Sequence, residues 1–321
     1  MSVLKVSLAY REVNNLSAVM QLVCTLAAYF LFLSLAIVWV AHLWVAIPFA
    51  VCAGIAGIRL YMLQHDCMHR CFIRPKWLND AIGITLSVFT LSPFYACRFN
   101  HGQHHSHVGD LDHRESFEIN VLTVDEYRAL APLRQLMYRV YRSPFTLLVV
   151  GPFMVFAIFN RFPKNTLKHG FVGDVLLHNA MLAGFVGMIY ALAGMGGVWM
   201  LVLTIYSGAS TSVIIPYVEH NFEDVLWGRK PDLAREDAAL KGSAVLDFGR
   251  LFHLLTANIG FHDLHHLNPN IPSYNLKRCY DALEADGLLA SRKVGWREAF
   301  SCFRWKLWDE QQGKMVTFTA V

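Results

Sequence analysis

VNNLSAVMQLVCTLAAYFLFLSLAIVWVAHLWVAIPFAVCAGIAGI, residues 13–58, contains no Asp, Glu, Lys or Arg. A membrane-spanning helix needs about 20 apolar residues, and this run is 46 long. It therefore reads as a helical hairpin that crosses a bilayer and returns, with spans over about 16–38 and 43–62. Trp39 to Trp44, around His42, supply the amphipathic aromatics that favour a membrane interface at the turn. A second uncharged run, Val175 to Val218, is 44 residues long. It reads the same way, as spans over about 175–194 and 198–218, turned at Gly194-Met195-Gly196-Gly197, where glycine breaks a helix.

The composition agrees: 55% of the 321 residues are hydrophobic and only 16% charged, too few to cover a soluble domain of this length. Neither hairpin turn holds a Lys or Arg, so all 28 basic residues fall on the side of the two termini, which the positive-inside rule makes cytosolic. The expected setting is a bacterial inner membrane. Lys5 and Arg11 precede the first apolar run without a clear cleavage site, which reads as a first anchor rather than a removable signal peptide. The net charge of +4 is spread out and forms no basic stripe, which excludes a nucleic-acid partner. Seven cysteines are scattered, most of them in the membrane or on the reducing side, and Cys67 and Cys71 lack the second pair a zinc knuckle needs.

What lies between and after the hairpins reads as a cap, residues 63–172 and 219–321, making one domain of 1–321. Two further apolar stretches, Asp80 to Tyr95 with Pro93 and Pro144 to Phe159 with Gly151-Pro152, are short. A single crossing by either would divide the histidine motifs between two sides of the bilayer, so both are expected to be interfacial or re-entrant. The fold class expected is an all-α integral membrane protein: four spans in two hairpins, interfacial helices and a cytosolic cap.

The chemistry is concentrated in histidine. Asn258-Ile-Gly-Phe-His-Asp-Leu-His-His-Leu-Asn268 places His262, His265 and His266 at i, i+3, i+4, on one face of a helix. His101, His104 and His105 repeat that spacing, and His65 and His69 form an i, i+4 pair at the end of the second span. Eight neutral imidazoles suit two metal ions better than one. His220, directly after the last span, is the natural ninth. Asp66, Asp263 and Glu223 are expected to orient imidazole N–H groups, and Asn258 to bond a metal-bound water or cap a helix. His107 and His113 lie off the pattern, and His42, His169, His178 and His253 are isolated, so a role as ligand is not expected of them. Imidazole alone suits zinc, copper and iron alike. A metal transporter is the reading of another class, but it calls for ionisable residues along a path within the spans, where only His178 occurs.

His65-Asp66-Cys67-Met68-His69, His101-x-x-His104-His105 and His262-x-x-His265-His266, in that order with two apolar hairpins, resemble the three histidine boxes of the membrane fatty acid desaturases. Val218-Glu-His-Asn-Phe-Glu-Asp224 and Asn258-Ile-Gly-Phe-His262 resemble further stretches of the acyl-lipid, Δ12-like branch, so the likeness covers roughly residues 60 to 275. It implies a non-haem centre of two Fe ions that uses O2 and two electrons to place a double bond in an acyl chain. The substrate it implies is a lipid or acyl-carrier-linked fatty acyl group, taken from among membrane lipids. Hydroxylases, acetylenases and ketolases share the scaffold. Met68 stands where the first box of this branch usually has glycine, and no His-Pro-Gly-Gly haem signature occurs. Electrons are therefore expected from a separate ferredoxin-like or cytochrome b5-like donor.

Overall fold

The computed structural model describes residues 2–114 and 120–320; residues 1, 115–119 and 321 of the expected single domain lie outside it. Among the described residues three helices are long and apolar enough to cross a membrane: Asn15–Val38, Leu43–Met68 and Val172–Glu219. The first opens where the Asn14 side chain accepts the Ser17 N–H at 2.9 Å, occupying one of the donors a helix start leaves bare. The second runs six residues past the expected end of its span and carries His65 on its last turn, as the unbroken sequence there implied.

The third helix is not continuous. Gly194, with φ 62° and ψ −161°, interrupts it. A straight helix would hold Leu182 and Ile205 about 35 Å apart at 1.5 Å per residue, yet both pack against one small cluster of Leu91, Phe156 and Ala209. The chain therefore folds back at Gly194, in a left-handed conformation that only glycine adopts at no cost. The two hairpins meet where backbones come unusually close. A Cβ on Gly54 would sit 2.7 Å from the Thr204 carbonyl oxygen and 3.0 Å from the Gly208 nitrogen, so only glycine permits this crossing.

The two shorter apolar stretches are bent. Trp77–Thr90 and Phe94–His107 meet at 95°, and Pro132–Tyr141 meets Thr146–Arg161 at 58°. The first bend falls at Leu91, φ 53°, and Pro93, and it turns Phe94–His107 so that its histidines point back toward His65 and His69. Leu133, Leu136, Met137 and Val140 form an exposed apolar stripe on Pro132–Tyr141. Their i, i+3, i+4, i+7 spacing makes this an amphipathic helix.

The chain is mostly helical, and among the described residues five short strands add to the helices. Leu122–Thr123 pairs parallel to Leu307–Asp309, which pairs antiparallel to Lys314–Val316. Val245–Asp247 pairs parallel to Lys293–Gly295. These pairings pin segments far apart in sequence around the histidines. The N-terminal tail does the same: Asn268, just after His262–Leu267, donates to Ser7 Oγ at 2.8 Å and accepts from Arg11 Nε at 3.1 Å. Leu264, Leu267, Leu276 and Tyr280 pack with Val3 in the core beneath it.

Candidate metal centre

Nine histidines converge from four segments in two groups. His65, His69, His101, His105 and His265 form one, and His104, His220, His262 and His266 the other; within each group one ring nitrogen per residue lies within 4.8 Å of every other. In the first group Nε2 of His101 is 2.9 Å from both His69 and His105, and Nε2 of His105 is 3.0 Å from His265. In the second, Nε2 of His266 is 3.1 Å from His104, 3.2 Å from His220 and 3.0 Å from His262.

Those contacts cannot all be hydrogen bonds. A ring nitrogen carries at most one hydrogen, so His266 Nε2 cannot serve three neighbouring nitrogens at once. A cation at the centre reconciles them. Imidazoles bonded to one ion at about 2.1 Å and set at right angles have nitrogens about 3.0 Å apart, which is the spacing observed. Burial acts in the same direction: it holds His262, His265 and His266 well below the usual imidazole range, so each keeps the unprotonated nitrogen a metal requires. The residues present therefore fit a pair of metal ions.

The supporting contacts differ from those expected. Asp66 accepts the Ser273 N–H at 2.8 Å. Asp263 accepts its neighbour Leu264 N–H at 2.6 Å and bonds Ser291 Oγ. Glu223 is half exposed, 4.0 Å from Lys314. Asn258, at φ 63°, donates to the Ser273 carbonyl at 2.9 Å. Asp66, Asp263 and Glu223 are thus spent on backbone, hydroxyl and lysine groups, and the Asn258 N–H caps the helix before it through the His253 carbonyl at 2.8 Å. The groups nearest the outer ring nitrogens are instead Glu219, fully buried with Oε2 3.3 Å from His262 Nδ1, and the Gly242 carbonyl, which accepts from His220 Nδ1 at 2.8 Å. The only sequence signal for Glu219 was an acid placed at the end of a 44-residue uncharged run.

The remaining histidines lie outside both groups. His107 and His113 stack on each other at 4.8 Å, with His113 Nδ1 3.0 Å from Asp110. His178 is held between Arg161 and Ser87, His169 lies on Phe99, His253 on Phe261 and His42 beside Trp39.

A cavity of about 210 Å3 opens onto the two clusters. His65, His101, His104, His220 and His262 line it together with Tyr61, Val155, Phe156, Val213 and Ile215. Nitrogen ligands at the head of an apolar cavity between hydrophobic helices would hold an oxidant against a hydrocarbon.

A sequence model of the fatty acid desaturase family matches residues 41–298. The chain belongs to the fatty acid desaturase family. Among its relatives is a fatty acid desaturase of Bacillus subtilis, 31% identical over 82% of this chain and 74% of that one. An sn-1 acyl-lipid omega-3 desaturase (ferredoxin) of Nostoc is 30% identical over 70% of this chain but 63% of its own length. An sn-1 oleoyl-lipid 12-desaturase of Synechocystis is 26% identical over 79% and 73%. The desaturase described here is thus an oxidoreductase that acts on fatty acyl chains.

Proposed function

We propose that this desaturase uses O2 and two irons to introduce a double bond into the acyl chain of a membrane lipid. The observation that carries this reading is the convergence of nine imidazoles, five and four, at the head of an apolar cavity. The irons would be held by His65, His69, His101, His105 and His265, and by His104, His220, His262 and His266; when bound, they supply the oxidant that removes hydrogen from an unactivated chain. Each turnover takes two hydrogens from the chain, two electrons and two protons, and returns two waters from O2. The chain's own residues do the rest. Tyr61, Phe156 and Val213 seat the hydrocarbon, and Glu219 and the Gly242 carbonyl fix two of the rings. The names of the relatives, acyl-lipid and ferredoxin among them, support a lipid-linked substrate and a small separate electron donor, ferredoxin-like or cytochrome b5-like.

Expression in a host that makes no polyunsaturated lipid tests this. New double bonds located by mass spectrometry are the expected result, whereas hydroxylated or triple-bonded products would move the chain to another reaction on the same scaffold. Accumulation of none of these in the presence of a working donor would overturn the reading.

The topology that suits this function is four spans in two hairpins, with a cap of residues 63–172 and 219–321 and both termini on the cytosolic side of a bacterial inner membrane. The absence of Lys and Arg from both turns supports it. A tag inserted between Gly194 and Gly197 should be labelled only from outside the cytosol. Labelling from the cytosolic face would rule out the four-span arrangement.

A further inference from the structure

A second, smaller cavity of about 30 Å3 lies beside the four-histidine cluster. One water needs about 10–15 Å3 of such space, so about two fit. His104 and His220 form its buried end, while His113 and Asn120, both exposed, form its outer end. It therefore leads from the cluster toward water. His104, Val121, His220 and Trp227 line this cavity and the apolar one alike. Apart from the two candidate ligands, the wall between the two spaces is thus Val121 and the Trp227 ring.

Trp227 carries a further mark. Its Nε1–H is buried and has no hydrogen-bond partner among the described residues. A buried donor left bare loses its hydration with nothing in return. A polar cavity large enough for water is the place where such a donor finds its partner.

We propose that the small cavity is a hydrated inlet through which the centre exchanges protons and product water with the aqueous side, and that Trp227 keeps that water out of the acyl cavity. The inference rests on the desaturase reading above, because that reaction defines the traffic. Two protons must arrive and two waters must leave for each double bond, and the acyl chain occupies the other cavity throughout. If water crosses the partition, O2 takes two electrons and two protons and leaves as hydrogen peroxide, with the chain intact.

Trp227→Ala and Trp227→Phe, purified with their metal, test the partition. The alanine protein should consume more than two electrons per double bond and release peroxide at unchanged metal content, while the phenylalanine protein, whose ring still fills the wall, should stay near two. Tight coupling in the alanine protein would overturn the proposal. A second measurement uses the metal-free wild-type chain labelled with 15N-tryptophan, where the Trp227 indole signal is the one missing from Trp227→Phe. That N–H should exchange with deuterium faster than the buried backbone amides of the helix bundle; protection equal to theirs would refute the inlet even if the alanine variant fails to fold. Failure of the wild-type protein to form any double bond would count against the reaction assigned above, and the exchange measurement would still decide whether the cavity is wet.

Discussion

A His220→Ala protein is expected to form no double bonds and to bind about one metal where the parent binds two. His220 Nε2 stands 2.9 Å from His262 and 3.2 Å from His266, inside the four-histidine cluster. Removing it leaves three nitrogens on that side and leaves the five-histidine cluster untouched. Elemental analysis separates this loss from misfolding, since the second metal should remain. His107→Ala is the control: its Nδ1 is bonded to the Gln103 carbonyl at 2.9 Å and its ring lies on His113, so metal content should stay near that of the parent. Glu219→Ala should fall between, because loss of a group that orients a ligand typically costs 10–100-fold in metal affinity or activity. Full metal and more than about a tenth of the activity in His220→Ala, within the range of an orienting residue, would remove His220 from the ligand set.

The histidine motifs were legible because a helix places i, i+3 and i+4 together, so spacing alone told which imidazoles share a face. The fold-back at Gly194 was legible because an uncharged run twice the length of a span must turn, and glycine marks where. The orienting groups were not, for reasons of geometry. Asp66 and Asp263 each follow a candidate ligand directly, and consecutive residues on a helix point about 100° apart, off the face they were expected to serve. Glu223 lies three residues beyond His220, but the helix ends at Glu219, so the two do not share a helical face. The contact nearest His262 Nδ1 joins residues 219 and 262 across the cap, and no local pattern encodes it. The five strands, two or three residues each, are likewise too short to show an alternation.

Acidification should destabilise the metal-free protein from about pH 6.5 downward, the ordinary imidazole range. Burial holds His262, His265 and His266 below that range in the folded chain. As pH falls, the unfolded chain takes up these protons first. The stability these residues contribute is therefore complete above about pH 6.5 and is lost below it, at about 1.4 kcal/mol per pH unit for each histidine. Asp263 runs the other way. Burial raises its carboxyl to about 6, so its contribution is full below the ordinary carboxylate range and is lost as pH rises through 6. Between about pH 4 and 6 it offsets part of what the histidines contribute. Bound metal competes with protons for the same nitrogens, so the loaded protein should resist acid until the metal leaves and then follow the metal-free one. Thermal unfolding of both forms in detergent from pH 5 to 8 measures this. A metal-free midpoint that is flat or rises toward pH 5 would mean that the three rings are already protonated in the folded chain, and nitrogens in that state could not hold a metal near neutral pH.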